Sequence, residues 1–211
     1  MSTYLTLSAL LGYPEPAMIE ALAEFDPLAA EWPQLHPLLD WLADGKLIDL
    51  QQAYVATFDR NPSHSLHLFE HIHGESRDRG QAMVDLMEEY KKHGLEMTGE
   101  DLPDYVPLFL EFLSQLEQDE AGRLMSDAVH VLAHIGRKLA ANGSPYAGVF
   151  AVLEQLSPVA AEELTEPPVR DMDEALETFG PGADGVEPLL KATGIPGTHT
   201  INFYPKAKAT A

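Results

Sequence analysis

Residues 64–80 place many ionisable side chains in one short stretch, His-Ser-Leu-His-Leu-Phe-Glu-His-Ile-His-Gly-Glu-Ser-Arg-Asp-Arg-Gly. The stretch holds four histidines: His64, His67, His71 and His73. It also holds two acids, Glu70 and Glu75, and the triplet Arg77-Asp78-Arg79. Charged groups are normally spread over solvated faces. This clustering makes the stretch the first candidate for a functional role.

Three of these side chains have the chemistry of ligands for a first-row metal. His67 and His71 are four residues apart, and on a helix they would face a metal ion together with Glu70. The His-Glu-x-x-His arrangement of metalloproteases is absent, and the arginines that follow would oppose a cation. We therefore predict no metal site.

Acid–base catalysis has equally weak support in the sequence. Histidine and glutamate suit proton transfer, but no nucleophile or oxyanion motif accompanies them. The sequence has no P-loop, glycine-rich nucleotide loop or Gly-x-Ser-x-Gly motif. A second pair, His130 and His134, lies opposite the apolar stripe of its helix, which indicates a solvated polar face. We predict no catalytic residues, and keep a metal-dependent helical hydrolase that uses the His64 to His73 cluster as the alternative.

A binding groove is the remaining possibility. Aromatic and aliphatic residues within the stretch and on both sides of it would line it: Tyr54, Phe58, Leu66, Phe69 and Tyr105. Acids would stand at its rim: Asp59, Glu70, Glu75 and Asp104. A basic amphipathic peptide suits such a surface by helix-in-groove docking. For each aromatic residue the alternative is a place in the hydrophobic core.

The elements that must position these residues are helical, because apolar residues recur at helical spacing along most of the chain. We predict a single-domain all-α helical bundle over residues 1–164. Its helices are expected at 3–11, 16–25, 35–43, 47–58, 83–90, 104–117, 119–142 and 145–156. Residues 59–76 lack a long pattern and predict an irregular connection. Residues 165–211 are rich in proline and glycine and predict a mostly disordered acidic tail, with a short helical turn near 172–179.

Composition restricts the partners of the protein. Thirteen Lys and Arg against 34 Asp and Glu give a formal net charge of -21, which would repel nucleic acid and anionic lipid. The absence of cysteine excludes disulfides and thiolate-ligated metal sites. The N-terminus lacks the basic region and cleavage site of a secretory signal, and no apolar run reaches the roughly 20 residues that cross a bilayer. We expect a cytoplasmic protein that has a basic partner and does not insert into membranes.

Three sequence blocks resemble those of the NarJ group of redox-enzyme maturation chaperones. The first block, at 54–59, reads Tyr-Val-Ala-Thr-Phe-Asp. The second, at 65–83, reads Ser-Leu-His-Leu-Phe-Glu-His-Ile-His-Gly-Glu-Ser-Arg-Asp-Arg-Gly-Gln-Ala-Met. The third, at 102–112, reads Leu-Pro-Asp-Tyr-Val-Pro-Leu-Phe-Leu-Glu-Phe. The resemblance covers about residues 3–160 and leaves out the tail.

The resemblance implies an all-helical, non-enzymatic assembly factor for the respiratory, membrane-associated nitrate reductase. Members bind the N-terminal leader of the catalytic alpha subunit and hold the apo alpha–beta complex before membrane attachment. They permit insertion of bis-molybdopterin guanine dinucleotide and an iron–sulfur cluster, which belong to the client. The related trimethylamine-oxide and dimethyl-sulfoxide reductase chaperones act likewise on twin-arginine leaders. A structural subunit of a larger complex is the plainer alternative.

The blocks and the groove together select the residues expected to bind the client peptide. They are Tyr54, Phe58, Asp59, Leu66, His67, Phe69, Glu70, His71, Arg77, Arg79, Met83, Asp104 and Tyr105. The acidic composition agrees with a basic leader, because a negative host steers a basic peptide toward it while apolar contacts hold the bound state.

Overall fold

The computed structural model describes residues 2–73, 77–97 and 101–164. These residues form ten α-helices and no β-strand, which confirms the all-α fold class. The helices are α1 (Thr3–Leu10), α2 (Pro16–Glu20), α3 (Asp26–Glu31), α4 (His36–Asp44), α5 (Leu47–Tyr54), α6 (Leu68–His73), α7 (Arg77–Lys92), α8 (Val106–Ser114), α9 (Gln118–Ala141) and α10 (Ala147–Leu156). The predicted tail at 165–211, with its helical turn at 172–179, lies outside the described residues, as do Gly74, Glu75 and Ser76. No described helix combines the length and apolar character needed to span a membrane.

Proline and glycine set several helix boundaries. Proline stands in the first turn of α2, α3, α4 and α8, where its missing N–H removes no intrahelical hydrogen bond. Gly143 follows α9 with a φ of 67°, a left-handed conformation that glycine adopts without steric cost. The Ser144 N–H then donates to the Leu139 carbonyl at 2.9 Å. The predicted end of this helix at Asn142-Gly143 is confirmed.

The core centres on α9, which packs along α10, while α1 packs along α8. Leu132, Ile135 and Leu139 of α9 are fully buried, as is Val149 of α10. Gly148 allows α10 to approach the chain before α4, because a Cβ there would overlap the Gln34 carbonyl oxygen. A close helix contact therefore depends on the missing side chain.

Two sequence predictions need correction. Residues 59–76 are not an irregular connection, because a π-helical segment Val55–Asp59 leads into them and their described part contains a 3-10 turn Pro62–His64 and α6. The predicted helix at 16–25 divides into α2 and the 3-10 segment Leu22–Phe25. Both differences involve short elements of six residues or fewer, which tertiary contacts stabilise more than an apolar repeat does.

Candidate functional site

The second and third sequence blocks meet at an isolated antiparallel bridge between His67 and Tyr105. Two backbone hydrogen bonds flank the bridge: Leu68 N to Asp104 O at 3.0 Å and Val106 N to Leu66 O at 2.8 Å. We call residues 64–71 and 103–106 the block junction. It explains why two blocks distant in sequence occur in one chain, since each supplies half of a single backbone contact.

The buried side chain of Asp104 stabilises the block junction through hydrogen bonds. Its side chain is 0% exposed. Oδ2 accepts the Phe69 N–H at 3.0 Å, and Oδ1 accepts from His67 Nδ1 at 3.2 Å. Because Phe69 lies in the first turn of α6, the carboxylate satisfies an amide that the helix leaves unpaired. The prediction that Asp104 is a rim charge is wrong, because no part of it reaches the surface.

The aromatic residues of the first block are also internal. Tyr54 and Phe58 are each 5% exposed, and their ring centroids are 4.9 Å apart. The Tyr54 hydroxyl donates to the Leu11 carbonyl at 2.9 Å and lies 3.3 Å from the Tyr105 hydroxyl. Burial raises the pKa of Tyr54 above its usual 10.0. The prediction that Tyr54, Phe58 and Leu66 offer open groove surface is wrong, because all three fill the core.

The histidines between residues 64 and 71 hydrogen-bond to separate partners. His64 Nδ1 donates to the Thr57 carbonyl at 3.1 Å, and its Nε2 accepts from Asn142 Nδ2 at 2.8 Å. His71 Nε2 donates to the Ser65 carbonyl at 2.8 Å. His64, His67 and His71 thus each hydrogen-bond to other groups of the protein. They give the metal-dependent hydrolase no support.

The histidine pair of α9 differs from its prediction as well. His130 and His134 are half-buried. His130 Nδ1 accepts the Glu162 N–H at 2.9 Å, and the His134 ring lies 5.9 Å from the His71 ring. The solvated polar face predicted for them is wrong, because both rings pack under chain segments from elsewhere in the fold.

Of the remaining predicted residues, those whose side chains the structure describes are half-buried or exposed. Phe69, Met83 and Tyr105 are half-buried, and Asp59 is exposed. Arg79 Nη2 donates to Glu70 Oε1 at 2.9 Å, which ties α7 to α6. His73 lies beside Phe69, with ring centroids 5.9 Å apart. Arg77 begins α7, but its side chain lies outside the description.

Sequence reasoning missed a second cluster, which joins α7 to α9. Potential ligand atoms of Glu89, His93 and Glu120 lie within 4.8 Å of one another. Arg123 Nη2 donates to both carboxylates, at 2.7 and 2.8 Å, and Lys92 Nζ donates to Glu89 at 2.9 Å. The hydrogen bond from Lys92 lowers the pKa of Glu89. These cations already balance the acids, so the cluster is an interhelical ion-pair network; its sequence signal is the i,i+3 pairing of Glu120 with Arg123.

Comparison with known proteins agrees with the block pattern. The sequence pattern of the nitrate reductase delta subunit family matches residues 24–152. The nitrate reductase molybdenum cofactor assembly chaperone NarJ of Escherichia coli K12 is 40% identical over 187 residues, covering 81% of this chain and 78% of that protein. The probable nitrate reductase molybdenum cofactor assembly chaperone NarW of the same strain is 40% identical over 154 residues, covering 72% of this chain and 66% of that protein.

A solved structure supports the fold. A protein of Archaeoglobus fulgidus described as a redox enzyme maturation protein superposes with a TM-score of 0.57 at 20% identity. The match covers 74% of this chain and 93% of that one. The resemblance to redox-enzyme maturation chaperones is confirmed, and the named relatives are assembly chaperones rather than enzymes. The chain belongs to the nitrate reductase delta subunit family.

Proposed function

We propose that this protein is a dedicated assembly chaperone for a respiratory nitrate reductase. In this role it binds the basic N-terminal leader of the apo catalytic alpha subunit in the cytoplasm. It holds the apo alpha–beta complex while the molybdenum cofactor and an iron–sulfur cluster are inserted, before membrane attachment. The observation that carries the proposal is the 40% identity to the NarJ assembly chaperone over 81% of the chain.

The electrostatics of the chain support capture of a basic leader. A formal net charge of -21 creates a field that raises the encounter rate with a cationic segment. Large apolar side chains are exposed on α6 and α7, namely Ile72 at 43%, Val84 at 47% and Met87 at 36%. Val84 and Met87 are three residues apart on α7 and share one face of it, and exposed apolar side chains of this kind are available to bind another chain. Charge then governs approach, and apolar burial governs how long the complex lasts.

We assign the molybdenum cofactor and the iron–sulfur cluster to the client. Iron–sulfur clusters are held by cysteine thiolates in most proteins, and this chain contains no cysteine. The rings of His64, His67 and His71 and the carboxylates of Glu70, Glu89 and Glu120 take part in the hydrogen bonds and ion pairs given above. The chaperone therefore acts on the client's conformation and exposure, and the client supplies the cofactor ligands.

Affinity purification of the tagged full chain from anaerobic, nitrate-grown cells tests the proposal. We expect the catalytic subunit in the eluate, with a higher yield when molybdenum cofactor synthesis is blocked, because the apo client then accumulates. A strain that lacks the catalytic subunit is the control. Stoichiometric retention of the protein in mature, active reductase would instead identify a structural subunit. Failure to recover the catalytic subunit under either condition would contradict the proposal.

A further inference from the structure

A cleft of about 500 Å³ opens between the C-terminal part of α7, the segment that follows it, and α8. Its floor is the pair of rings of Tyr90 and Phe112, which are 3% and 4% exposed with centroids 4.4 Å apart. The half-buried side chains of Leu95, Met97 and Leu108 form its walls. The size is that of a pocket for a small ligand or a few side chains of a peptide.

The cleft is tied to the block junction. The Tyr90 hydroxyl donates to the Pro103 carbonyl at 2.7 Å, one residue before the buried Asp104. A second, smaller cavity of about 200 Å³ adjoins the cleft, shares Tyr90, Leu95, Glu96 and Met97 with it and adds Met87 and Lys91. Methionine side chains are flexible and adapt to varied apolar partners. The two cavities form one surface of mixed polar and apolar character, which we call the methionine cleft.

The edge of the methionine cleft is mainly acidic, with three acids against one cation, the exposed Lys91 of the smaller cavity. Glu96, Asp101 and Glu111 line the larger cavity and are exposed. Within the part of the chain that the structure describes, none of the three forms an ion pair with Lys, Arg or His. This differs from Glu89 and Glu120, whose charges are balanced by Arg123. The methionine cleft thus combines apolar walls with carboxylates that form no ion pair with a described cation.

Two other surface cavities lack this combination. The larger, of about 690 Å³, is lined by one acid and one base, Asp119 and Arg123. The other, of about 550 Å³, has no acid in its lining and includes the hydrogen-bonded His64. A cationic, apolar segment is therefore complementary in charge to the methionine cleft and not to these two.

We propose that the methionine cleft binds the client leader, taking apolar side chains of the leader on its walls while Lys or Arg residues on either side of them pair with Glu96, Asp101 and Glu111. This inference rests on the proposed function and adds the place of binding. It places the leader at the C-terminal end of α7, whereas the sequence predicts binding at the surface around Phe69 and Glu70. Asp104, a buried part of the block junction, then helps to position the site without contacting the leader.

Methyl NMR of the full chain, labelled with ¹³C-methyl methionine, tests the place of binding. The seven methionines of the sequence give separate probes. On titration with a synthetic leader peptide of the cognate catalytic subunit, we expect the largest shifts at Met97 and Met87. Met18, on α2, is the control. Largest shifts at Met83 or Met18, with Met97 unmoved, would overturn the inference.

Variants test the energetics of the same site. We expect Met97→Ala to weaken leader binding about tenfold through faster dissociation, because an apolar anchor is lost. Glu96→Gln, Asp101→Asn and Glu111→Gln together should slow association and flatten its salt dependence, because these charges act on encounter. Matched controls are Ile48→Ala, at a residue 58% exposed on α5, and Asp40→Asn on α4.

The outcomes separate the inference from the proposed function. If the wild-type chain binds the leader and the cleft variants bind as tightly as the controls, the inference is overturned and the proposed function stands. If the wild-type chain does not bind the leader, both the inference and the leader step fail, while the affinity purification still reports on the client. In the absence of peptide, deletion of residues 165–211 could shift the Met97 methyl signal as far as the leader does, in which case the chain's own tail is the occupant. A Met97 shift that depends on protein concentration indicates a second copy of the chain. Either result overturns the inference.

Discussion

Asp104 joins two segments of the chain by hydrogen bonds that leave its carboxylate no exposed surface. A buried carboxylate is tolerated only when donors surround it, because desolvation otherwise costs several kcal/mol. Here the donors are the Phe69 amide and the His67 ring, both at the start of α6. The residue is therefore a structural requirement of the block junction, and its place in a family pattern need not reflect contact with a client.

Replacing Asp104 should destabilise the fold. We expect Asp104→Ala to lower the free energy of unfolding by about 2–3 kcal/mol, because buried donors lose a charged acceptor. Asp104→Asn should cost less, since the amide oxygen still accepts the Phe69 N–H. Asp101→Ala, at an exposed acid, is the control, with a change within about 0.5 kcal/mol. Urea unfolding measures all three; equal losses at positions 104 and 101 would contradict the role given to Asp104.

At the scale of elements, the sequence predicts those helices whose apolar residues recur at helical spacing. The wide apolar stripe of α8 and the long one of α9 indicate both helices, and Asn142-Gly143 indicates where α9 ends. The sequence does not predict α6, because this helix of six residues depends on a carboxylate 35 residues away from Phe69. Short helices whose caps come from remote residues give no local signal.

The candidate site was harder to predict for the same reason. Aromatic residues of a core and of a groove have similar patterns in sequence. The sequence therefore predicts a groove position for Tyr54 and Phe58, although both fill the interior. Met97 in the wall of the methionine cleft and Glu111 at its edge come together only when the segment after α7 packs on α8. The location of Tyr54 and Phe58 and the assembly of the methionine cleft both depend on burial and on contacts between residues distant in the chain. The spacing of residues in the sequence carries no information about either.

Two helical glycines should respond to alanine in opposite ways. A Cβ at Gly122 of α9 would have its nearest neighbour at 3.8 Å, so Gly122→Ala should stabilise the protein by about 0.5–1 kcal/mol through helix propensity. A Cβ at Gly148 would overlap the Gln34 carbonyl oxygen, so Gly148→Ala should destabilise it. Thermal unfolding of the two variants is the measurement. A stabilising Gly148→Ala would show that α10 and the chain at Gln34 pack less closely than described.

For the whole molecule, composition predicts that the C-terminal tail adds little to stability. Residues 165–211 are rich in proline and glycine and poor in periodic apolar residues. We expect deletion of the segment to change the melting temperature by less than about 2 °C, because few apolar groups there can be buried. Calorimetry of the full and shortened chains decides this. A drop of many degrees would mean that the tail completes the core.

Alkaline pH should destabilise the whole fold through its buried phenols. Burial raises the pKa of Tyr54, Tyr90 and Tyr146 above the usual value of 10.0. Above that pH the unfolded chain releases these protons while the folded chain keeps them, so stability falls as pH rises. Each phenol that stays protonated contributes a slope of about 1.4 kcal/mol per pH unit. Below pH 10 these groups are protonated in both states and contribute no pH dependence.

Tyr146→Phe tests how much one buried phenol contributes to the alkaline loss of stability, and it changes no described hydrogen bond. Among the described residues the Tyr146 hydroxyl is buried and has no hydrogen-bond partner, so removing it should leave the stability at pH 7 unchanged or slightly higher. Tyr54→Phe, in contrast, also removes the bond to the Leu11 carbonyl and should cost about 1 kcal/mol at neutral pH. Both variants should show a shallower loss of stability between pH 10 and 11 than the wild-type chain in urea unfolding. Tyr13→Phe, at a tyrosine 44% exposed, is the control for the substitution itself. An alkaline slope that is the same in Tyr146→Phe as in the wild-type chain would mean that this ring ionises as readily in the folded protein as in the unfolded one, and that the packing around Tyr146 admits water.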